Sequence, residues 1–128
     1  MAGTDHWWDD LTRDRSAAIL ELVLDAIAED YETPAIILKT INSCYPDDPD
    51  IKGWKALDAI PISRPEVIHA LKELTQEGFA QACTYDAGSR QYHPVSFRAD
   101  RADVLWFYVT EKGMNAVKQL CKRSFEIS

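Results

Sequence analysis

The side chains able to do chemistry in this chain fall into three groups. The stretch ISRPEVIHALKELTQEGF, residues 62–79, carries Ser63, Arg64, His69, Lys72 and Gln76. Residues 87–103 carry Arg90, Arg98 and Arg101 with His93, against Asp100 and Asp103. Near the start, HWWDD sets Trp7 beside Trp8. Arginine and lysine donate to phosphate oxygens, whereas histidine, glutamine and serine can hydrogen-bond the edges of bases. Catalytic constellations are poorly represented. His6, His69 and His93 are scattered, and none stands at ligand spacing to Cys44, Cys83 or Cys121. There is no glycine-rich phosphate loop and no nucleophile elbow. The acid pairs Asp9-Asp10 and Asp47-Asp48 lie in loop-like sequence, where solvation explains them. The expectation is no catalytic residue, no metal ligand and no cofactor.

Charge is distributed unevenly. The formal net charge is −7, which taken alone disfavours a polyanionic partner. Residues 1–32, however, hold nine acids and two bases, while residues 33–128 hold twelve of each sign and sum to zero. A local basic face is therefore compatible with the composition. Length, 128 residues, suits one domain with its own core. The longest apolar runs fall well short of the roughly 20 residues a membrane helix needs, and the acidic, aromatic start is unlike a signal peptide. Three widely spaced cysteines without a CxxC read as reduced thiols. These features predict a cytoplasmic protein with no membrane partner.

The elements that must position these groups are readable from periodicity. A first helix is predicted from about Thr12 to Asp30, with Ile19, Leu20, Val23, Ala26 and Ile27 as its stripe and Leu22 and Leu24 at the flanks. Thr33-Pro34 starts a second helix that stops near Asn42-Ser43. CYPDDPD is a turn-rich acidic stretch, after which Asp50 can cap a short helix with Ile51, Trp54 and Leu57 inward. In the quoted stretch Ser63 caps a third helix, Glu66 completes a capping box, and Pro65 sits where no helical N–H is needed. Val67, Ile68, Leu71 and Leu74 form its apolar side, and Gly78 ends it. The opposite side carries Glu66, His69, Glu73 and Gln76. Strands are predicted at Phe79–Tyr85, Tyr92–Phe97 and Val104–Val109, with DAGSR as a turn and RADRAD as a charged loop. Trp106 and Tyr108 fall on one face of the last strand and Leu105, Phe107 and Val109 on the other. Thr110 caps a final helix with Val117, Leu120 and Cys121 inward.

ISRPEVIHALKELTQEGF followed by WFYVTEKGMNAVKQL resembles the recognition helix, wing strand and following helix of PadR-like and MarR-like transcriptional regulators. The resemblance spans roughly residues 14–123, and Tyr108–Gly113 (YVTEKG) is its most family-like piece. It implies an α+β, mostly helical fold: a winged helix-turn-helix with a two- or three-stranded wing sheet. As a single domain over 1–128, it would comprise an arm over 1–13, a core over 14–123 and an extended wing over 87–103. The chain departs from the pattern in the twenty or so residues between the second and third helices, and in the length of the wing. Glu66 and Glu73 also fall on the face that would meet phosphates.

The resemblance further implies double-stranded DNA as partner, contacted by Ser63, Arg64, His69, Lys72 and Gln76 from the helix and by Arg90, Arg98 and Arg101 from the wing. It also implies a homodimer, for which Trp7 and Trp8 are the expected interface. Helix 63–77 sums to −1 and the wing to +1, so the wing is expected to supply much of the attraction. A protein–protein use of the same module, through the acidic first helix and the tryptophans, is the alternative. No small-molecule effector is legible.

Overall fold

The computed structural model describes residues 15–43 and 61–127, and gives no side-chain placement for Ala17 or for residues 120–127. The chain runs α1 (Arg15–Ala26), α2 (Pro34–Ser43), α3 (Arg64–Gln76), β1 (Ala80–Asp86), β2 (Gln91–Val95), a 3-10 helix (Ala99–Val104), β3 (Trp106–Val109) and α4 (Glu111–Ile127). It is an α+β fold with more helix than strand. The strands form one antiparallel sheet in the order β2-β1-β3. The start of the first helix, the 1–13 arm with Trp7 and Trp8, CYPDDPD and the Asp50-capped helix all lie outside the described residues. So do the side chains of Leu120 and Cys121.

Local signals set α3. Ser63 Oγ accepts from the Glu66 N–H, and the Glu66 carboxylate accepts from the Ser63 N–H at 2.9 Å, so the capping box is closed. At the other end Gly78 takes φ +79°. Its N–H reaches the Thr75 carbonyl at 3.2 Å, and the Phe79 N–H reaches Leu74 at 2.9 Å. That pair of bonds satisfies the last carbonyls of the helix and turns the chain into β1. Val67, Ala70, Leu71 and Leu74 are buried. Ile68, expected among them, is only half-buried, because it lies at the edge of the buried arc rather than at its centre.

The core joins this helix face to α1, α2 and the inner side of the sheet. Ile19, Leu22, Val23, Leu24 and Ile27 enter from α1 and the turn after it, Ile37 and Ile41 from α2, Ala80, Ala82 and Phe107 from the sheet, and Leu105 from just before β3. Leu22 and Leu24, expected at the flanks of α1, are at 1 % and 0 % exposure. The helix stops at Ala26, short of Asp30. Beyond it Glu32 exchanges both backbone hydrogen bonds with Phe107, at 2.9 and 2.8 Å. This bridge fastens the α1–α2 connection to the free edge of β3, so helices and sheet form one unit. Two strand ends differ from expectation by two residues, and three others by one. β2 stops at Val95, and Val104 belongs to the 3-10 helix and is 65 % exposed. The charged loop RADRAD is therefore largely a 3-10 helix.

The first turn of α4 closes over the end of α3. Thr110 Oγ1 donates to the Gly78 carbonyl at 2.6 Å and accepts from the Gly113 N–H at 3.1 Å, capping α4 as its sequence predicts. Lys112 Nζ donates to the Glu77 carbonyl at 2.7 Å and lies 4.7 Å from the centre of the Phe79 ring. A Cβ on Gly113 would fall 2.1 Å from the Phe79 carbonyl oxygen and 2.6 Å from Val109 Cγ2. The YVTEKG segment is thus a clasp between α3, β1 and α4, and its glycine is the point of closest approach.

Candidate functional site

The outward side of α3 is built from Arg64, Pro65, His69, Lys72 and Gln76, all exposed. Asn42, at the end of α2, positions the start of this helix. Its Nδ2 donates to the Ile62 carbonyl and its Oδ1 accepts from the Ile62 N–H, both at 3.0 Å. The side chain thereby satisfies both backbone polar groups of Ile62 and fixes the approach to Ser63.

Glu66 does not face outward as the sequence reading places it. Arg15 Nε and Nη2 donate to its two oxygens at 2.7 and 3.0 Å, and Arg15 Nη2 also reaches the Pro61 carbonyl at 3.0 Å. The Arg15 hydrogen bonds, with help from Ser63, hold the Glu66 carboxyl down to about 2. It stays ionised, but its charge is offset and turned towards α1. Glu73 remains nearer the outward side, with Oε1 at 3.1 Å from His69 Nε2. That is a hydrogen bond when His69 carries its proton on Nε2. One of the two acids expected to repel phosphates is thus turned away from the outward side of α3, and the other lies against His69.

The remaining candidates sort by partner. Ser63 is committed to the capping box. Arg64 lies against the 3-10 helix, where Nε and Nη2 donate to the two oxygens of Asp103, the Nε contact at 2.8 Å. Arg98 holds Asp100 in the same two-point manner, at 3.3 and 3.1 Å. Lys72, Gln76, Arg90 and Arg101 have no side-chain hydrogen bond or ion pair among the described residues. Arg90 sits in the four-residue turn closing the β1–β2 hairpin, with φ +58°. This is a left-handed position that a non-glycine residue occupies at some cost. The turn is roughly 20 Å along the strand from the point where β1 leaves α3.

Lys72 and Gln76 do come together with the sheet. They line an open cleft of about 830 Å3 with Thr75, Gln81 and Ser96, walled by Ala80, Ala82, Pro94, Val95 and Phe97. Its polar rim and single lysine suit a passing anionic chain better than a small apolar ligand. The sequence reading missed Arg15, Asn42 and Asp103 as partners of this region, and nothing local in the sequence marks them.

The other face of the sheet is aromatic. Tyr85 and Tyr92 are cross-strand partners, Trp106 pairs with Cys83, and Tyr108 with Gln81. Tyr31, from the α1–α2 connection, stacks on Tyr92 with ring centres 3.7 Å apart and planes 2° from parallel. Trp106 meets Tyr92 edge-on at 5.7 Å. Burial pushes the Tyr92 and Tyr108 hydroxyls up and raises the Cys83 thiol. Among the described residues no group of three His, Cys, Asp or Glu side chains could hold a metal ion, and no helix is long and apolar enough to cross a membrane. No family model matches the chain, and neither curated proteins nor solved structures provide a match.

Proposed function

We propose that this chain is a winged-helix DNA-binding regulator of transcription that works in the cytoplasm as a homodimer, with α3 as its reading helix and the β1–β2 hairpin, 3-10 helix and β3 as its wing. The observation that carries the reading is the exposed side of α3. His69, Lys72 and Gln76 project from a helix whose start is fixed by Asn42 and the capping box, and Glu66 is drawn away by Arg15. A preorganised helix with donors on its free side and a cleft alongside is suited to a duplex groove and its backbone. Support for the dimer comes from Trp7 and Trp8 in the sequence and from the half-exposed aromatic face of the sheet. That face also favours a second reading, a winged helix used for protein–protein contact, since its rings include no cation.

Fluorescence anisotropy on mixed-sequence duplex at several salt concentrations tests the proposal. Each neutralised phosphate contributes about 0.9 to the log–log salt slope. Lys72 and Arg101 are cations without an ion pair among the described residues, so Lys72→Ala with Arg101→Ala is expected to flatten the slope by about 1.8. His69→Ala or Gln76→Ala is expected to change which sequences are preferred. Absence of salt-dependent binding by the unmodified protein at low ionic strength would sink the DNA reading.

A further inference from the structure

Two of the arginines on the proposed DNA side are already engaged, and both partners come from one short element. Asp100 and Asp103 lie three residues apart in the Ala99–Val104 3-10 helix, a spacing that places side chains on the same edge. Asp103 takes both donors of Arg64, the first residue of α3, and Asp100 takes both donors of Arg98. In each case a planar guanidinium meets a carboxylate at two points, the geometry it would use for a phosphate. All four side chains are more than half exposed, so the pairs are open to competition from solution anions.

We propose that Asp100 and Asp103 are selectivity residues that act through Arg64 and Arg98: they occupy both arginines as internal stand-ins for phosphate and yield them only to a polyanion able to engage the two together. This rests on the DNA reading of the same surface. Binding then becomes an exchange. Each arginine leaves a carboxylate for a phosphate, and the freed carboxylate recruits a cation from solution. That uptake cancels part of the counterion release that drives protein–DNA association. The aspartates therefore reduce affinity and also make it less sensitive to salt. Exposed pairs of this kind are individually weak, which suits a latch that a duplex can open.

The test compares three full-length proteins on one duplex across a salt series: unmodified, Asp100→Asn with Asp103→Asn, and Glu77→Gln with Glu111→Gln. The last pair makes an equal change of charge at exposed acids that hold no reading arginine. The aspartate variant is expected to bind roughly 2- to 20-fold tighter at moderate salt. Its salt slope should be steeper by up to about 1.8, or 0.9 per exchange, with little change of slope in the glutamate variant. If the aspartate variant alone binds, the unmodified protein does not hold a duplex, and the latch falls with the DNA reading. If the unmodified protein binds and the two variants match in affinity and slope, the latch is overturned and the DNA reading stands. If none of the three binds, both fall.

Discussion

The two faces of the sheet obey different rules although one strand alternation produces both. On the inner face Ala80, Ala82 and Phe107 are at 4 % exposure or less and belong to the same core as α1, α2 and α3. Small residues on β1 give Phe107, paired with Ala82, the room to be wholly buried. On the outer face the side chains are large, and rings pack chiefly on rings: Tyr31 on Tyr92 and Tyr108, Tyr85 and Trp106 on Tyr92. The inner face is stabilised by removal of apolar area from water, the outer by ring contacts that leave Tyr85 at 42 % exposure. The inner face should therefore set stability, while the outer face should contribute less to it.

The contrast is sharpest in a pair of truncations. Phe107→Ala is expected to cost about 3–5 kcal/mol, because the ring is wholly buried. Tyr92→Ala should cost about 1–2 kcal/mol, since half-exposed neighbours can close over the gap. Urea titration of both variants measures the difference. Equal losses would mean that the outer face is a second core, and the division drawn here would fail.

Gly113 tests the seam where the inner face meets α4. An added methyl would strike the Phe79 carbonyl, which is backbone and cannot rotate away. Gly113→Ala is therefore expected to cost about 3 kcal/mol, towards the upper end for overpacking. The ordinary gain in helix propensity from glycine to alanine, up to about 1 kcal/mol, is too small to offset it. A neutral or stabilising result in thermal unfolding would show that the clasp is looser than its contacts indicate.

Legibility in the sequence followed distance along the chain. The box between Ser63 and Glu66, the left-handed Gly78, the alternation in WFYV and the cap at Thr110 are relations across one to four residues, and all are legible in the sequence. What escaped was long-range. Glu66 has the right spacing for an outward acid, but the arginine that turns it away lies 51 residues earlier. Arg64 has the right position for a reader, yet its partner Asp103 is 39 residues on. The alternation in WFYV places Trp106 and Tyr108 on one face, whereas no local signal announces that Tyr31 packs against it. The candidate side chains on α3 were legible as a helix face. Which of them are free was decided by residues that only the fold brings near.

The smallest effect sharpens the outer side of the comparison. Cys83 lies on the aromatic face between Pro94 and Trp106 in register, and it is 1 % exposed with its thiol pushed up by burial. A raised pKa and a closed surround both suppress the thiolate and its access to reagents. With Cys44 and Cys121 replaced by serine, Cys83 should be alkylated by iodoacetamide far more slowly in the folded protein than in urea. Trp106→Ala should speed that reaction roughly tenfold while the protein remains folded, because local opening then suffices to expose the sulfur. The same substitution should barely change the far-ultraviolet dichroism. If Cys83 already reacts at its unfolded rate in the parent protein, the rings do not seal the outer face. The half-exposed aromatic surface would then be an open one, and its lower contribution to stability would reflect contact with water rather than tolerance between packed rings.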